Sequence, residues 1–212
     1  MRTQKAIHAQ TGRRGLIAGF CGSPRPAGNT AILVKKVIEG FTEAVESESR
    51  YFNLHFQNIA SCQSCYSCLR TGQCAIKDGM EPVYDAICHA RALVVGTPVY
   101  MEGPSAQLKL MLDRLHPFLH CNKKRPPIPR LPFVLVVSQG DPDTLKYKPL
   151  VESLAEALSN CFDFTPVETV LHYSGGTGRS INAVEDKKLL KKALDAGKKM
   201  AEKVAAEYHR KV

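Results

Sequence analysis

The sequence predicts an α/β fold: a doubly wound sheet of five parallel strands, in the order 2-1-3-4-5, with helices on both faces. Two observations support this prediction. Short, continuously apolar runs alternate along the chain with segments whose apolar residues recur at helical spacing. Strands buried on both faces have this continuous apolar character, so the alternation indicates a parallel sheet covered by helices. The 212 residues suffice for one such domain.

The first strand is predicted at Gly15–Cys21, a short apolar run. A turn over residues 22–30 follows, rich in glycine, proline and small polar residues. A helix is predicted directly after it, because one face carries Val34, Val37, Ile38, Phe41 and Val45. A turn in this position directs backbone N–H groups toward any ligand over the helix N-terminus.

The next two strands are predicted on either side of a cysteine-rich segment. Residues 49–56 alternate well enough for the second strand, and the cysteines follow it as an inserted loop. Asp78 with Glu81 three residues later indicates a helix that begins with a capping box. The third strand is predicted at residues 92–96, and a further helix from Ser105.

The last strands and helices follow a basic, proline-rich loop. The fourth strand is predicted at residues 133–137 and the fifth at 166–172, with a helix between them and a long helix at the end. Gly197 falls on the apolar face of that last helix, where it would allow close packing. Five such units are typical of the flavodoxin-like fold. We expect a basic N-terminal tail over residues 1–14 and one domain over residues 15–212.

The net charge of +9 raises the possibility of nucleic-acid binding. The excess lies in the N-terminal tail, the loop 123–130 and the last helix, with no RNA-binding aromatic signature, so we expect no nucleic-acid partner. Solvated surfaces explain most of the charge, and steering of acidic redox partners or nucleotides is the alternative. No apolar run could span a bilayer and no secretory signal is present, so a reducing cytoplasm is predicted.

Four cysteines, Cys62, Cys65, Cys68 and Cys74, follow one another with the spacing C-x2-C-x2-C-x5-C. Three of them fall within seven residues, which favours a [4Fe–4S] cluster with four local ligands. Structural zinc sites usually take separated cysteine pairs, and disulfides need an oxidising compartment. Both alternatives are therefore less favoured, though neither is excluded by the spacing.

Three loops are expected at the carboxyl ends of strands, where ligands of such sheets bind: residues 22–30, 98–103 and 138–141. The first carries donors suited to a terminal phosphate and matches neither a Walker A loop nor G-x-G-x-x-G. A monophosphate with a flat aromatic head fits best. Taken singly, the residues have plainer roles, such as capping for Asn29 or Thr30. Only their joint placement favours a ligand.

The motif G-S-P-R-x-x-G-N-T from Gly22, the cysteine run, and T-P-V-Y from Thr97 resemble the iron-sulfur flavoproteins. So do S-A-Q-L-K from Ser105 and the pair Asp113-Arg114. These proteins are a branch of the NADPH-dependent FMN reductases, and the resemblance is strong over residues 15–140. The chain departs from them at Glu102 and Pro104 and in its basic loop.

The resemblance implies FMN, a [4Fe–4S] cluster, and a homodimer or homotetramer in which cluster and flavin exchange electrons across a subunit interface. Its implied metal ligands are the four cysteines. Its implied flavin-binding residues lie in the three loops: Ser23, Pro24, Arg25, Gly28, Asn29, Thr30, Pro98, Val99, Tyr100, Met101, Glu102, Gly103, Ser138, Gln139 and Gly140. Among these, Ser23, Arg25, Asn29 and Thr30 are implied to hold the phosphate.

The predicted function is that of an electron-transfer flavoprotein, an oxidoreductase that passes electrons between a ferredoxin-like donor, the cluster and FMN. We expect no catalytic acid or base, because the cofactors perform the chemistry. The alternative is an NAD(P)H-dependent FMN or quinone reductase whose cysteines take no part. A metal-stabilised scaffold is a third hypothesis, which the flavin loops disfavour.

Overall fold

The described residues, 15–173 and 182–209 of a computed structural model, form six strands and six α-helices. The strands are β1 (Gly15–Cys21), β2 (Ser47–Asn53), β3 (Ala90–Tyr100), β4 (Gly103–Pro104), β5 (Pro132–Gln139) and β6 (Thr165–Tyr173). The helices are α1 (Asn29–Ala44), α2 (Ser67–Thr71), α3 (Glu81–His89), α4 (Ala106–Arg114), α5 (Lys148–Phe162) and α6 (Lys187–His209). The predicted tail over residues 1–14 lies outside the described residues.

The sheet has the order β2-β1-β3-β5-β6, and all neighbours along this path are parallel. The prediction of five strands was wrong in number, because the chain turns back after β3 and forms the two-residue strand β4. This strand pairs antiparallel with the end of β3, with Val99 opposite Pro104 and Tyr100 opposite Gly103. Numbered without β4, the parallel strands have the predicted order 2-1-3-4-5.

Helices cover the sheet on both faces, and each face has its own apolar core. Buried residues of α1 and α6 pack on one face, and those of α3, α4 and α5 pack on the other. The helices α1 and α6 approach closely: a Cβ on Gly197 would lie 2.1 Å from the carbonyl oxygen of Val37. This contact confirms the predicted close packing at Gly197. None of the described helices is both long and apolar enough to cross a membrane.

Two predicted boundaries differ from the structure around the cysteine-rich segment. The second strand ends at Asn53, and a short 3-10 helix, Leu54–Phe56, replaces its predicted end. The capping box at Asp78 is also absent, because α3 begins at Glu81 with Met80 as its N-cap and no side-chain cap. The Asp78 carboxylate instead accepts hydrogen bonds from the N–H groups of Ala60 and Met80 and from the guanidinium of Arg114.

Candidate functional site

The three predicted loops meet at one edge of the sheet, because β1, β3 and β5 end side by side. In the pairing register, Cys21 lies opposite Gly96, and Pro98 lies opposite Ser138. The backbone N–H of Gly22 donates to the carbonyl oxygen of Gly96 over 2.8 Å, which ties the first loop to β3. The structure therefore brings residues 22–30, 98–103 and 138–140 to the edge where such sheets bind ligands.

The first loop ends at a helix N-terminus whose cap offers no side chain. Gly28 is the N-cap of α1 and makes no side-chain cap hydrogen bond. The buried Ser23 hydroxyl accepts from the N–H of Arg25 over 3.2 Å, and the Arg25 side chain is exposed beside it. A helix N-terminus carries partial positive charge, so this loop can hold an anion such as a phosphate.

Two residues of this loop have packing roles that the sequence did not predict. The side-chain oxygen of Asn29 accepts from the N–H of Ala183 over 2.9 Å, which joins α1 to the segment before α6. Thr30 is 2% exposed, and its methyl group packs against Gly96. A role for either residue in phosphate binding stays a prediction.

The second loop is a tight hairpin in a strained backbone conformation. Met101 and Glu102 both have left-handed φ angles, of 46° and 65°. Turns of this kind usually take Asn-Gly, and a left-handed non-glycine residue costs about 1–2 kcal/mol. The Met101 side chain is 98% exposed and that of Tyr100 is 44% exposed. The hairpin therefore presents the apolar side chains of Tyr100 and Met101 to solvent at the edge of the sheet.

The third loop contains a buried hydroxyl that lacks a partner. Ser138 is 9% exposed, and its Oγ makes no hydrogen bond within the part of the chain that the structure describes. An unpaired buried hydroxyl is unfavourable, so it suits a ligand atom at this edge. The side-chain N–H₂ of Gln139 is occupied, because it donates to the carbonyl oxygens of Asp141 and Asp143 and so shapes the loop. Gly140 has open space around it.

The four cysteines of the predicted cluster line one small cavity beside the C-terminal end of α4. Within the described ranges, no three Cys, His, Asp or Glu side chains are arranged to hold a single metal ion. Burial raises the pKa of the Cys68 thiol, and the nearby Cys74 thiol raises it further. Metal binding would stabilise the thiolates, which is the usual coupling between metal affinity and thiol deprotonation.

The backbone around Cys65 also suits a negatively charged group. Ser64 and Tyr66, on either side of it, have left-handed φ angles of 51° and 55°, and helix α2 begins directly after Tyr66. Left-handed residues next to helical ones turn successive N–H groups toward one point, as in many iron-sulfur sites. Four cysteines that line one cavity also match the number of thiolate ligands that an iron-sulfur cluster takes.

A buried ion pair, which sequence reasoning missed, closes the base of the cysteine-rich segment. Arg114 is 1% exposed, and its guanidinium binds both carboxylate oxygens of Asp78. It also donates to the carbonyl oxygens of Ala60 and Ile76, which lie on either side of the cysteines. The sequence did offer one signal for this ion pair: Arg114 directly precedes the core residue Leu115. A charged side chain that is buried in such a position needs a partner of opposite charge.

The Asp78 carboxylate is held in its charged form. Burial acts to raise its pKa, but hydrogen bonds from Arg114 and from the N–H groups of Ala60 and Met80 outweigh burial and lower the pKa. The hydroxyl of Tyr84 donates to the carbonyl oxygen of Arg114 over 2.7 Å, and burial raises the pKa of that tyrosine. This network joins α3, α4 and the cysteine-rich segment.

A cavity of about 320 Å³ lies away from both regions, between β6 and α6. It is an open surface groove lined by Glu168, Lys188, Lys191, Lys192, Asp195, Ala196 and Lys199. Most of these charges are paired with one another: Lys191 with Asp195, and Lys199 with Glu168. Size alone does not make this groove the site, because neither the strand ends nor the cysteines line it.

Comparison with protein families gives one match that covers most of the chain. The sequence model described as NADPH-dependent FMN reductase matches residues 16–167. This match includes the three loops and the cysteine-rich segment. It agrees with the resemblance that the loop motifs predicted.

Similar curated proteins carry the name iron-sulfur flavoprotein. One from Methanocaldococcus jannaschii is 35% identical over 102 residues, which are 48% of this chain and 52% of that protein. One from Archaeoglobus fulgidus is 26% identical over 196 residues, 90% of this chain and 80% of that protein. The chain spans only about half the length of the first curated relatives, 50–54%.

Solved structures agree on the architecture. The NAD(P)H:quinone oxidoreductase from Methanothermobacter marburgensis is similar with a TM-score of 0.63 and 17% identity, over 88% of this chain and 95% of that one. At this identity the likeness concerns the fold alone. It confirms the predicted α/β class with helices on a parallel sheet.

Proposed function

The chain belongs to the NADPH-dependent FMN reductase family, and on this premise we propose that it is a flavin-dependent oxidoreductase that binds FMN at the carboxyl ends of β1, β3 and β5. The observation that carries the proposal is that three features meet at this edge. They are a helix N-terminus without a side-chain cap, the buried Ser138 hydroxyl without a partner among the described residues, and a strained apolar hairpin. Each suits a different part of FMN.

The first loop would hold the phosphate. The N-terminus of α1 and the Ser23 hydroxyl supply short-range donors, and the exposed Arg25 guanidinium supplies positive charge. Asn29 and Thr30 would complete the loop, in addition to their packing roles. The flavin ring would lie between residues 98–103 and 138–140, where Tyr100 and Met101 present apolar surface.

The cysteines would hold a [4Fe–4S] cluster, with Cys62, Cys65, Cys68 and Cys74 as ligands. Support comes from their common cavity, from the left-handed residues around Cys65 and from the relatives' name. When bound, FMN takes up one or two electrons and a cluster takes up one, so together they connect one-electron carriers with two-electron chemistry. The segment that carries the cysteines would be an insertion into the fold.

The arrangement favours electron exchange between subunits. The hairpin lies at the N-terminal end of α4 and the cysteine cavity at its C-terminal end, and nine residues of helix separate the two by about 13 Å. A homodimer or homotetramer would bring the cysteine cavity of one subunit to the flavin edge of another. Exposed apolar side chains in both regions, Met101 and Tyr66, support such a contact.

The electron donor that we propose is a ferredoxin-like protein. Its acidic surface would dock on the basic loop over residues 123–130, most of which is exposed. NAD(P)H is the alternative donor, which the family's description favours. If another subunit covers the flavin, little room remains for a nicotinamide to stack on the ring.

We also propose a location and a domain organisation for the chain. All eight cysteines are free thiols in the structure, which suits a reducing cytoplasm. We propose that residues 15–212 act as one FMN-binding domain, with the basic tail over residues 1–14 outside it.

The first test measures FMN binding to the anaerobically purified protein. Arg25→Ala should weaken FMN binding by about 1.5–3 kcal/mol, because charge-assisted hydrogen bonds to the phosphate are lost. Arg91→Ala is the matched control, since Arg91 is an exposed arginine at the other end of β3, and it should bind FMN like the wild type. Protein that takes up FAD in preference to FMN, or no flavin at all, would contradict the proposal.

The second test concerns the cluster and the donor. Reconstituted protein should contain iron and acid-labile sulfide, and Cys65→Ser should lose both. Stoichiometric zinc without sulfide would contradict the cluster.

The electron donor is tested by the rate of flavin reduction. Reduced ferredoxin should reduce the flavin faster than NADH or NADPH, and added salt should slow that reaction. Rapid reduction by NAD(P)H that is unchanged in Cys65→Ser would establish the alternative reductase.

A further inference from the structure

Arg114 is a buried charge that the binding of FMN does not explain. It is the last residue of α4, it is 1% exposed, and it lines the same cavity as the four cysteines. Arginine is almost never fully buried unless it is paired. Its hydrogen bonds therefore indicate what this position does.

An arginine side chain has five N–H donors, and four of those of Arg114 are used. The Nη1 group donates to the carbonyl oxygen of Ala60 over 2.8 Å and to Asp78 Oδ2 over 2.7 Å. The Nη2 group donates to the carbonyl oxygen of Ile76 and to Asp78 Oδ1, each over 3.1 Å. The fifth donor, Nε, is buried and has no partner among the residues that the structure describes.

A buried donor without an acceptor is unfavourable, particularly on a charged group. The terminal nitrogens already engage Asp78 and both carbonyl oxygens, and Arg114 lines the cavity of the four cysteines, so a group bound in that cavity can supply the acceptor for Nε. Four thiols open into that cavity, and a cluster bound there would add anionic sulfur. Sulfur that carries negative charge accepts N–H hydrogen bonds.

We propose that Arg114 donates its Nε–H to sulfur of the cluster held by Cys62, Cys65, Cys68 and Cys74. The proposal rests on the proposed function, because it requires that cluster. Arg114 is then a positioning residue with two effects. Its terminal nitrogens hold the two sides of the cysteine-rich segment together, and its Nε–H and positive charge raise the cluster's reduction potential by stabilising the reduced, more negative form.

The reduction potential separates this role from a merely structural one. Removing Arg114 alone would leave Asp78 unpaired, so the first variant is Arg114→Met with Asp78→Asn, which removes the donor and leaves the net charge of the pair unchanged. The second variant, Asp78→Asn alone, keeps the Nε–H and removes a negative charge. We expect the potential to fall in the double variant and to rise in the single variant.

A control pair is available on the surface. Arg50 and Asp85 form an ion pair whose side chains are 44% and 51% exposed. Arg50→Met with Asp85→Asn removes an arginine–aspartate pair in the same way and should leave the potential unchanged. If Arg114 only holds the cysteine-rich segment closed, the double variant Arg114→Met with Asp78→Asn and the single variant Asp78→Asn will not shift the cluster's reduction potential in opposite directions. That result would overturn the proposal.

A measurement on unmutated protein avoids any loss of folding. Wild-type protein labelled with ¹⁵N-arginine, with its cluster reduced by dithionite, should show hyperfine coupling between the cluster and an arginine nitrogen. Arg70 lies nearby, because its Nη1 donates to the carbonyl oxygen of Cys65, so the spectrum is repeated in Arg70→Lys. The coupling should persist there.

The outcomes distinguish this inference from the proposed function. A cluster that is present by iron and sulfide content, but shows no arginine coupling in the labelled protein, overturns only the role of Arg114. Wild-type protein that binds no iron and sulfide under anaerobic conditions overturns the cluster and this role together.

Discussion

The proposed flavin-binding edge, here called the flavin edge, and the cysteine-rich segment over residues 57–80 differ in what holds them in place. The flavin edge consists of short loops at the ends of β1, β3 and β5, so the hydrogen-bonded sheet fixes their positions. Between the 3-10 helix Leu54–Phe56 and α3, by contrast, the cysteine-rich segment contains only the five-residue helix α2. Its two sides are joined by Arg114 and Asp78.

The difference shows that one chain can position two candidate sites by different means. Strand ends share the stability of the whole sheet, and a local change there should affect binding more than folding. A segment with little regular structure depends on a few side chains, and a single substitution can release it. Three substitutions test this contrast.

The largest effect is expected at the ion pair. Arg114→Ala should lower the free energy of unfolding of the apoprotein by about 3–5 kcal/mol, because it leaves the Asp78 carboxylate, which is only 13% exposed, without its charged partner. Denaturant unfolding measures this change. Arg50→Ala, which breaks the exposed pair with Asp85, should cost no more than about 1 kcal/mol. Similar losses in both variants would show that the buried pair has no special role.

A smaller effect is expected at Gly79, where two parts of the cysteine-rich segment cross. A Cβ on Gly79 would lie 1.2 Å from the carbonyl oxygen of Gln57, so the backbone must move. Gly79→Ala should destabilise the protein by about 1–3 kcal/mol. Gly140→Ala, at the flavin edge, meets no atom within 4 Å and should change stability by about 0.5 kcal/mol at most.

The response of the cysteine-rich segment itself sharpens this comparison. Amide hydrogen exchange should become faster over residues 57–80 in Gly79→Ala while β1, β3 and β5 keep their protection. Loss of protection throughout the sheet would mean that the two regions are not independent.

The smallest effect is a gain in stability at the hairpin. Met101→Gly should raise the free energy of unfolding of the apoprotein by about 0.5–1 kcal/mol, because glycine has no Cβ to oppose the left-handed φ of 46°. Little packing is lost, since the Met101 side chain is 98% exposed. Thermal unfolding measures the gain, and FMN binding should weaken at the same time.

Leu145→Gly is the matched control for the hairpin. Leu145 is also a largely exposed apolar residue, in the loop after β5, but it has no left-handed φ. Glycine there should lower stability slightly, because only the flexibility of the unfolded chain changes. A loss of stability in Met101→Gly as well would show that the hairpin is not strained.

Local sequence patterns were sufficient for most of the fold. Apolar runs located β1, β3 and β5, alternation located β2, and glycine, proline and small polar residues located the loops at the strand ends. Helix and strand ends were less certain: β2 ends at Asn53, several residues before its predicted end, because a 3-10 helix begins there. The propensities of residues 54–56 do not distinguish a frayed strand from such a turn.

The candidate site was predicted only in part. The residues of the three loops and the four cysteines follow from motif and spacing, and the structure brings each set together. The strand β4 was missed, because Met101 and Glu102 carry no hairpin signal of the Asn-Gly kind. The role of Asp78 was misjudged, because a capping box is a local pattern and the stronger partner of Asp78 is remote.

By itself, the sequence determined the five parallel strands, the helices between them, the family and the candidate residues of both sites, since each depends on patterns or motifs of residues that are near one another along the chain. Only the tertiary structure decided that Asp78 pairs with Arg114, 36 residues away, and that Asn29 binds Ala183, 154 residues away. The physical reason is that a polar group buried by folding takes whichever partner the packed sheet and helices bring within hydrogen-bonding distance, and spacing along the chain does not specify that partner.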